Sequence, residues 1–306
     1  SKVCFPDAAN RLMLDLLGPA LVRPGSAPAV EKRIAQITQR AILRGRGLKP
    51  PPPTGFWFRL QVIHQLGKEI QRRAKNYQQA KQSGLHTDKT VAEQAQDLLD
   101  VIAFNAGPSY PSDQLAQVFL SFIVASISSI GFLFAWSLYL LGRHQDQLDL
   151  QQLPPRQIVL EALRLWPIAW LFGRQPQQDC RIGEHQVRAD QDIVVCPYLS
   201  QRSERYWERA TEFIPQRWNN TDANRAFLPF GWGEHRCTAS GLSIALVSDL
   251  LQVLLHDYRL QFHFEGAQAC VGVALSPPYF ELELAALGSV TYSMRNTVCK
   301  GFSAQC

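Results

Sequence analysis

The chain has 306 residues, of which 46% are hydrophobic and 19% charged, and its formal net charge is +5. This length supplies one large core or two modest domains, and the composition excludes a disordered, collagenous or repeat protein. The mild charge suits an acidic protein partner but is too small for a nucleic-acid-binding protein. Seven cysteines without CxxC spacing argue against a disulfide framework or a structural zinc site. With no signal peptide visible in the first ten residues, a cytoplasmic chain is expected.

Helical patterns dominate the first half of the chain. In the segment 27–45, Val30 and Ile34 begin an apolar stripe, and the basic residues are expected on a solvated face. The prolines of "KPPPPTG" then form a stiff extended connector, because they cannot continue a helix. A long amphipathic helix is expected over 56–84, and a further one over about 91–104.

The next helix is unusual because Leu115–Leu141 carries no charged residue over 27 positions. Its length and apolarity meet the criterion for a transmembrane helix. The alternative is a central helix that is buried on all sides within a large helical protein. Composition alone leaves this choice open.

The second half of the chain mixes helices with short strands. A helix that starts at a proline covers "LPPRQIVLEALRLWP", and short strands are expected in "IAWLFG" and "DIVVCPYL". A long apolar helix follows Cys237, and "RLQFHF" and "YFELELA" read as terminal strands. The predicted fold class is therefore mostly α with a small β region.

The stretch "FLPFGWGEHRC", from Phe227 to Cys237, presents one cysteine just before that long helix. A thiolate rather than a thiol binds metals, and a position in the first helical turn favours the anion through the helix dipole. Gly231 and Gly233 would let the backbone turn tightly against a flat partner. One cysteine cannot build a zinc site, so haem iron is the expected partner.

"FGWGEHRCTA" resembles the haem-ligand loop of the cytochromes P-450, whose pattern is F-x-x-G-x-x-x-C-x-G/A. Phe230, Gly233, Cys237 and Ala239 match its defined positions. The resemblance implies a cytochrome P-450-like helical haem domain that is reduced at its N-terminus, with haem b as cofactor and Cys237 as the axial iron ligand. We therefore expect residues 1–306 to form a single domain. Its haem-binding part is expected at about 112–260, and 287–306 are expected to form a C-terminal tail.

Two further motifs occur in the order typical of that family. In "EALR", Glu161 and Arg164 share a helix face, and in "FIPQRW", Arg217 matches the arginine of the P-x-R motif. Alone, such a pair is most often a solvated surface ion pair. In combination with the cysteine loop, these three residues predict a buried structural ion network.

The resemblance also implies roles for other residues. Arg174 and His235 match positions that bind the haem propionates. The charge-free helix aligns with the family's helix over the haem, which favours a buried helix over a membrane span. The haem then lies between that helix and the Cys237 loop. Further cofactor contacts are expected from Gly231 and Ser126, distal catalytic positions at Ala125, Ser128 and Ser129, and a substrate wall at Ile168, Ala169 and Leu171.

The sequence departs from the family pattern in two respects. Ser129 can stand in for the alcohol of the family's distal acid–alcohol pair, but Ser128 replaces the carboxylic acid that donates protons. The chain is also shorter than a typical member. The distal side is accordingly expected to be open, covered by the "KPPPPTGFWF" region, or completed by a second chain.

The resemblance implies a haem-thiolate oxidoreductase of the monooxygenase type, acting on a small organic substrate. Electrons would come from a separate ferredoxin or flavoprotein reductase, because the sequence has no flavin or nicotinamide motif. Three alternatives remain: a peroxide-driven peroxygenase, a haem-thiolate isomerase or dehydratase, and a non-catalytic haem- or ligand-binding protein.

Overall fold

The structure is a computed structural model that describes residues 2–45, 52, 55–82, 95–106, 110–149, 152–219, 226–264, 269–271 and 274–287. It is mostly helical with small antiparallel sheets, as the sequence predicts. The helices are α1 (Asp7–Leu21), α2 (Pro28–Gly45), α3 (Gly55–Gln82), α4 (Leu98–Asn105), α5 (Ser112–Ile123), α6 (Ser129–His144), α7 (Pro155–Leu165), α8 (Pro197–Ser200) and α9 (Ser240–Asp257). The strands are β1 (Lys2–Phe5), β2 (Phe172–Arg174), β3 (Cys180–Ile182), β4 (His185–Val187), β5 (Ile193–Val195), β6 (Tyr258–Phe264), β7 (Cys270–Val271), β8 (Leu275–Ser276) and β9 (Phe280–Ala286).

The described residues form two compact units. The amino-terminal unit comprises described residues of 7–131, and the carboxyl-terminal unit comprises those of 2–6 and 132–287. Most of the proline-rich connector, the start of the helix expected at 91–104, and the tail beyond 287 lie outside the described residues.

In the amino-terminal unit, α3 packs against α4 and α5. The contact between α3 and α5 is close, because a Cβ added to Gly67 would lie 2.6 Å from the carbonyl oxygen of Ser112. On α2 the prediction of a solvated basic face is wrong for Arg40, which is buried. Its guanidinium carbon lies 3.9 Å from the centre of the Phe58 ring, so the cation covers an aromatic face.

A buried arginine connects three segments of the same unit. Arg73 Nη1 donates to Asp97 Oδ1 and Asp100 Oδ1, both at 2.7 Å, and Nε donates to Glu69 Oε1 at 2.9 Å. Its Nη2 donates to Ser26 Oγ at 2.8 Å. The side chain of Asp97 is fully buried. It also accepts a hydrogen bond from the N–H of Asp100, so Asp97 is the N-cap residue of α4. The network therefore fixes the α1–α2 connection, α3 and α4 together.

The phenol of Tyr77 adjoins this network and should make the protein sensitive to alkaline pH. Burial, with a further contribution from the Asp100 carboxylate, raises the pKa of Tyr77 from 10.0 to about 12. Between these values the unfolded chain loses the proton while the folded chain keeps it, so the stability contribution present below pH 10 is lost as pH rises towards 12. In urea unfolding, Tyr77→Phe should lose less stability than the unmodified protein over this interval, by about 1 kcal/mol once partial exposure is allowed for.

The matched control for this prediction is Tyr110→Phe, since Tyr110 is 53% exposed. It should keep the pH dependence of the unmodified protein. Equal slopes for Tyr77→Phe and the unmodified protein between pH 10 and 12 would contradict the assignment.

The charge-free run is not one regular helix. It consists of α5, a π-helical turn at Val124–Ser128, and α6. The expectation that it is buried on all sides is also wrong, because Phe122 and Val124 are 49% and 57% exposed. Among the described residues, two helical runs are long and apolar enough to cross a membrane, 112–147 and 233–257, and 44% and 28% of their most apolar windows are buried. Core helices of soluble proteins also satisfy these criteria. The two runs therefore do not show whether the protein is in a membrane.

The carboxyl-terminal unit contains a three-stranded antiparallel sheet in the order β1–β9–β6. The two terminal strands predicted from the sequence are β6 and β9, and β1 was not predicted. Phe5 stacks on Phe280 with ring centres 5.1 Å apart, and a Cβ on Gly142 would lie 2.5 Å from the Phe262 ring. Cys4 is disulfide-bonded, which the scattered cysteine spacing did not predict.

Candidate functional site

Two backbone hydrogen bonds within the loop before α9 fix its conformation. Within the carboxyl-terminal unit, Gly231 N–H donates to the carbonyl of Leu228 at 3.1 Å, and Cys237 N–H donates to the carbonyl of Phe230 at 2.9 Å. A short 3-10 turn at Gly233–His235 lies between these two bonds. The loop therefore closes on itself and presents Cys237 from a defined backbone position.

The two glycines of this loop are required by backbone conformation. Gly231 and Gly233 both have φ of +73°, a left-handed region that other residues rarely adopt. Space is not the constraint within the described residues, since a Cβ on Gly233 would meet nothing within 4 Å. The positive φ is a sufficient physical reason for glycine at both positions.

Cys237 lies just before α9 rather than in its first turn. The helix begins at Ser240 with Ala239 at the N-cap, so the predicted position is wrong by three residues. The N–H groups of Thr238 and Ala239 make no backbone hydrogen bond within the described residues. These donors, and the positive end of the helix dipole, therefore remain available to a thiolate at Cys237.

The loop exposes a thiol together with apolar surface. Cys237 is exposed and free, and His235 is also exposed. Trp232 and Leu242, on either side of the cysteine in sequence, are 69% and 60% exposed. A sulfur ligand with large uncovered apolar side chains nearby in the chain suits a flat, largely apolar group.

The predicted ion network is present in the carboxyl-terminal unit, and its centre is Glu161. Arg164 donates to both carboxylate oxygens, at 2.8 and 2.9 Å, and Arg217 Nε donates to Oε1 at 3.0 Å. The side chains of Glu161 and Arg164 are both fully buried. Two further donors were not predicted: Trp218 Nε1 bonds to Oε2 at 2.9 Å, and Ile214 N–H bonds to Oε1 at 3.0 Å.

Arg164 also binds the backbone of the long connection that follows α8. Its guanidinium donates to three carbonyl groups at distances between 2.6 and 2.8 Å. Every polar group of the buried pair therefore has good partners, which is the condition under which such a pair is tolerated. The three acceptors are the carbonyl oxygens of Gln201, Ala210 and Glu212.

Gln201 connects this network to the cysteine loop, and nothing in the sequence indicated it. Its buried side chain donates from Nε2 to the carbonyls of Leu163 and Arg164, at 3.1 and 2.9 Å. Its Oε1 accepts from the N–H of Leu228 at 2.7 Å. The start of the loop is thus bonded to the carboxyl end of α7 through one amide.

The other predicted site residues of this unit differ in their exposure to solvent. Arg174 lies on β2, half-buried, with its guanidinium over the Phe172 ring and bonded to the carbonyl of Gly173. Of the predicted substrate wall, Ala169 and Leu171 are exposed, whereas Ile168 is buried. Ile168 therefore packs in the core.

The predicted distal residues lie on the π-helical turn and the start of α6. Ala125 is exposed, and Ser126, Ser128 and Ser129 are half-buried. Ser126 Oγ donates back to the carbonyl of Phe122 at 2.6 Å. The hydroxyls of Ser128 and Ser129 make no hydrogen bond within the described part of the chain. A π-helical turn is uncommon and often lies at a functional site.

Comparison with known proteins agrees with this geometry. A family model described as Cytochrome P450 matches residues 140–271, which include the Glu161 network and the Cys237 loop. This part of the chain is similar to the cytochrome P450 superfamily. The crystal structure of the cytochrome P450DA heme domain has a TM-score of 0.66 at 18% identity, covering 94% of this chain and 68% of that chain. A second cytochrome P450 structure has a TM-score of 0.65 at 19% identity, covering 94% and 72%.

Curated P450 proteins are similar in sequence over part of their length. Sterol 14alpha-demethylase of Mycobacterium tuberculosis is 26% identical over 238 residues, covering 69% of this chain and 52% of that protein. The chloroplastic carotene epsilon-monooxygenase of Arabidopsis thaliana is 28% identical over 177 residues, covering 49% and 32%. The chain therefore spans about half the length, or less, of these P450 relatives.

P450 proteins bind haem b, and the residues described here fit that cofactor. The accessible thiol of Cys237 supplies one soft ligand, and the exposed apolar side chains of the loop suit a porphyrin. No group of three or more His, Cys, Asp or Glu side chains that could hold a metal ion occurs among the described residues.

Proposed function

We propose that this chain carries the haem-thiolate centre of a P450-type monooxygenase, with Cys237 as the axial ligand of haem b. The observation that carries the proposal is the free, exposed Cys237 on a loop closed by two backbone hydrogen bonds. When bound through a thiolate, haem supplies the electron density that favours cleavage of the O–O bond. The role of the chain is to hold that sulfur in place, and the Glu161 network and Gln201 support its loop.

Further roles follow the resemblance. His235 is exposed, and we propose that it and Arg174 pair with the haem propionates. Ala169 and Leu171 offer exposed apolar side chains to a substrate, while Ile168 contributes only to the core beneath them. Gly231 and Gly233 support the loop conformation through φ. The resemblance assigns Ala125, Ser126, Ser128 and Ser129 to the distal side.

The proposed reaction consumes a small organic molecule RH, dioxygen, two electrons and two protons, and forms ROH and water. The names of the relatives refer to a sterol and a carotene, so we propose an apolar substrate. A separate ferredoxin or flavoprotein reductase would deliver the electrons near the Cys237 loop, and the net charge of +5 suits an acidic donor. A cytoplasmic location and a second chain that completes the distal side are further predictions.

Ser128 favours a second candidate, a peroxide-driven peroxygenase. A serine cannot act as the carboxylic acid that the family uses as a proton donor, and hydrogen peroxide supplies the oxygen atom without net consumption of protons. A haem-thiolate isomerase or dehydratase would also need no such acid. A non-catalytic haem- or ligand-binding protein is the remaining alternative.

The proposal is tested by loading the purified chain with haem b, reducing it, and recording the absorption spectrum with carbon monoxide. We expect the red-shifted Soret band of a thiolate-ligated haem. An iron held by a nitrogen ligand, or a chain that takes up no haem, would exclude the proposed centre.

Comparing dioxygen plus a ferredoxin and its reductase with hydrogen peroxide then separates the two enzymatic candidates. A monooxygenase should oxidise apolar probe molecules only with the electron donor, and a peroxygenase with peroxide alone. A spin-state change on binding such molecules, with no oxidation under either condition, would favour the non-catalytic alternative.

A further inference from the structure

Strand β6 is an edge of the three-stranded sheet in the carboxyl-terminal unit. The sheet has the order β1–β9–β6, so β6 pairs with β9 on one side and with no described strand on the other. It is seven residues long, from Tyr258 to Phe264. An edge strand carries backbone N–H and C=O groups that no neighbouring strand uses, and such a row of groups can pair with a further strand.

The register of the sheet shows which backbone groups of β6 are free. Leu287 N–H donates to the carbonyl of Asp257 at 2.9 Å, and these two residues lie opposite each other where the β6–β9 ladder continues. Hydrogen-bonded and non-bonded pairs alternate in an antiparallel ladder, so every second residue from Arg259 directs its backbone groups to β9. Leu260 and Phe262 direct theirs away from β9, and these groups make no hydrogen bond within the described residues.

A groove of about 790 Å³ follows this free edge. Leu260 and Phe262 line it, whereas no residue of β1 or β9 does so among the residues that the structure describes. The groove therefore lies on the unpaired side of β6. Its other walls are the last turns of α9, the end of α6 and the segment 152–155, all within the carboxyl-terminal unit.

The groove combines apolar side chains with amides that are free to bond. Leu153 and Leu255 contribute apolar surface. The side-chain amides of Gln145, Gln152 and Gln252 also line the groove and make no hydrogen bond within the described part of the chain. An amide can both donate to and accept from a peptide backbone, and apolar walls can hold the alternate side chains of an extended segment. This combination suits an extended peptide.

The free charge beside the groove is positive. Arg259 is exposed and has no ion-pair partner among the described residues, and no acidic side chain lines the groove. The nearby carboxylate of Asp257 already bonds to His256 at 2.8 Å. A second copy of the chain fits this edge poorly. Antiparallel pairing of two β6 strands over their whole length would place Arg259 opposite His263, so two basic side chains would be neighbours.

We propose that β6 and this groove bind an extended segment of a partner protein, which adds to the sheet as a fourth, antiparallel strand. Its backbone would bond to the free groups of Leu260 and Phe262, and its apolar side chains, at alternate positions, would fill the groove. An acidic side chain of the segment would lie beside Arg259. The groove contains none of the residues proposed for the haem or the substrate, so its test does not depend on the proposed function.

Binding is measured by fluorescence anisotropy with the purified full chain and a labelled peptide as long as β6, Val-Glu-Val-Thr-Val-Glu-Val. We expect saturable binding. In an antiparallel addition the valine amides face β6, so N-methylation of the two inner valines should weaken binding by about tenfold. N-methylation of the two glutamates should leave it nearly unchanged. Equal effects of the two modifications would overturn strand addition, and so would the absence of saturable binding up to the solubility limit of the peptide.

Arg259→Glu tests the preference for an acidic segment. This variant should bind the same peptide about tenfold more weakly, and should bind the lysine version, Val-Lys-Val-Thr-Val-Lys-Val, more tightly than the unmodified protein does. Arg181→Glu is the matched control, because it makes the same change of charge on the exposed strand β3, outside the groove. It should bind both peptides as the unmodified protein does. Equal binding of the two peptides by Arg259→Glu and the control would overturn the acidic partner. A dimer in sedimentation that excludes the peptide would assign the edge to a second copy instead.

Amide hydrogen exchange followed by NMR locates the bound strand. The glutamate peptide should slow exchange at Leu260 and Phe262, whose N–H groups point away from β9. The N–H of Gln261 already bonds to β9 and should change little. Slower exchange at other positions, with none at Leu260 and Phe262, would show that the peptide binds elsewhere and would overturn the assignment of the groove.

Discussion

Replacing Cys237 with serine should abolish the thiolate signature of the reduced, carbon-monoxide-bound protein. Serine has nearly the same shape, but its hydroxyl does not ionise at neutral pH and is a poor ligand for haem iron. Because the loop is closed by backbone bonds and by Gln201, its conformation should persist in this variant. The absorption spectrum and haem content, measured beside a circular dichroism spectrum, separate loss of the ligand from loss of the fold.

The control for this variant is Cys180→Ser. Cys180 is also a free cysteine, is half-buried, and lies on β3. The spectrum of this variant should match that of the unmodified protein. A thiolate band that survives Cys237→Ser would show that another cysteine binds the iron, and the proposed ligand would have to be abandoned.

Glu161→Gln should be the most destabilising single substitution of a polar residue in the carboxyl-terminal unit. Glutamine keeps the shape but removes the charge from a site where two arginines and two N–H groups converge, leaving Arg164 buried without an anion. Breaking a buried ion pair from one side costs about 3–5 kcal/mol. Urea unfolding of the purified protein measures this loss directly.

The matched control is Glu212→Gln. Glu212 pairs with Arg209 at the same i,i+3 spacing, but both side chains are more than half exposed. Solvent screens that pair, so its loss should leave the urea midpoint unchanged within error. If Glu161→Gln cost less than about 1 kcal/mol, the network would not have the structural role assigned to it.

The sequence predicted the parts of the site that carry local patterns. The Cys237 loop has fixed glycine positions, and Glu161 and Arg164 occur at helical spacing, so short motifs indicated both. The glycine prediction rested on close approach to a flat partner, whereas the structure shows a φ requirement. Local patterns thus identify residues more readily than the physical reason for them.

Other features could not be predicted because they depend on contacts between distant segments. Gln201 lies in a polar loop sequence, and only the fold brings its amide to Leu228 and to the end of α7. Arg73 is one of several basic residues on α3, and its burial depends on Asp97. The π-helical turn likewise has no residue signature, since Val124–Ser128 reads as ordinary apolar helix.

The register of the Glu161 network limits how the connection between α8 and α9 can vary in length. Arg164 binds carbonyls at positions 201, 210 and 212, and Glu161 binds groups at 214, 217 and 218. An insertion or deletion within 202–217 would displace some of these partners while the others stay bound. The exposed hairpin of β3 and β4 has no such anchors among the described hydrogen bonds. Loop grafting or tag insertion in this protein should therefore be directed to that hairpin.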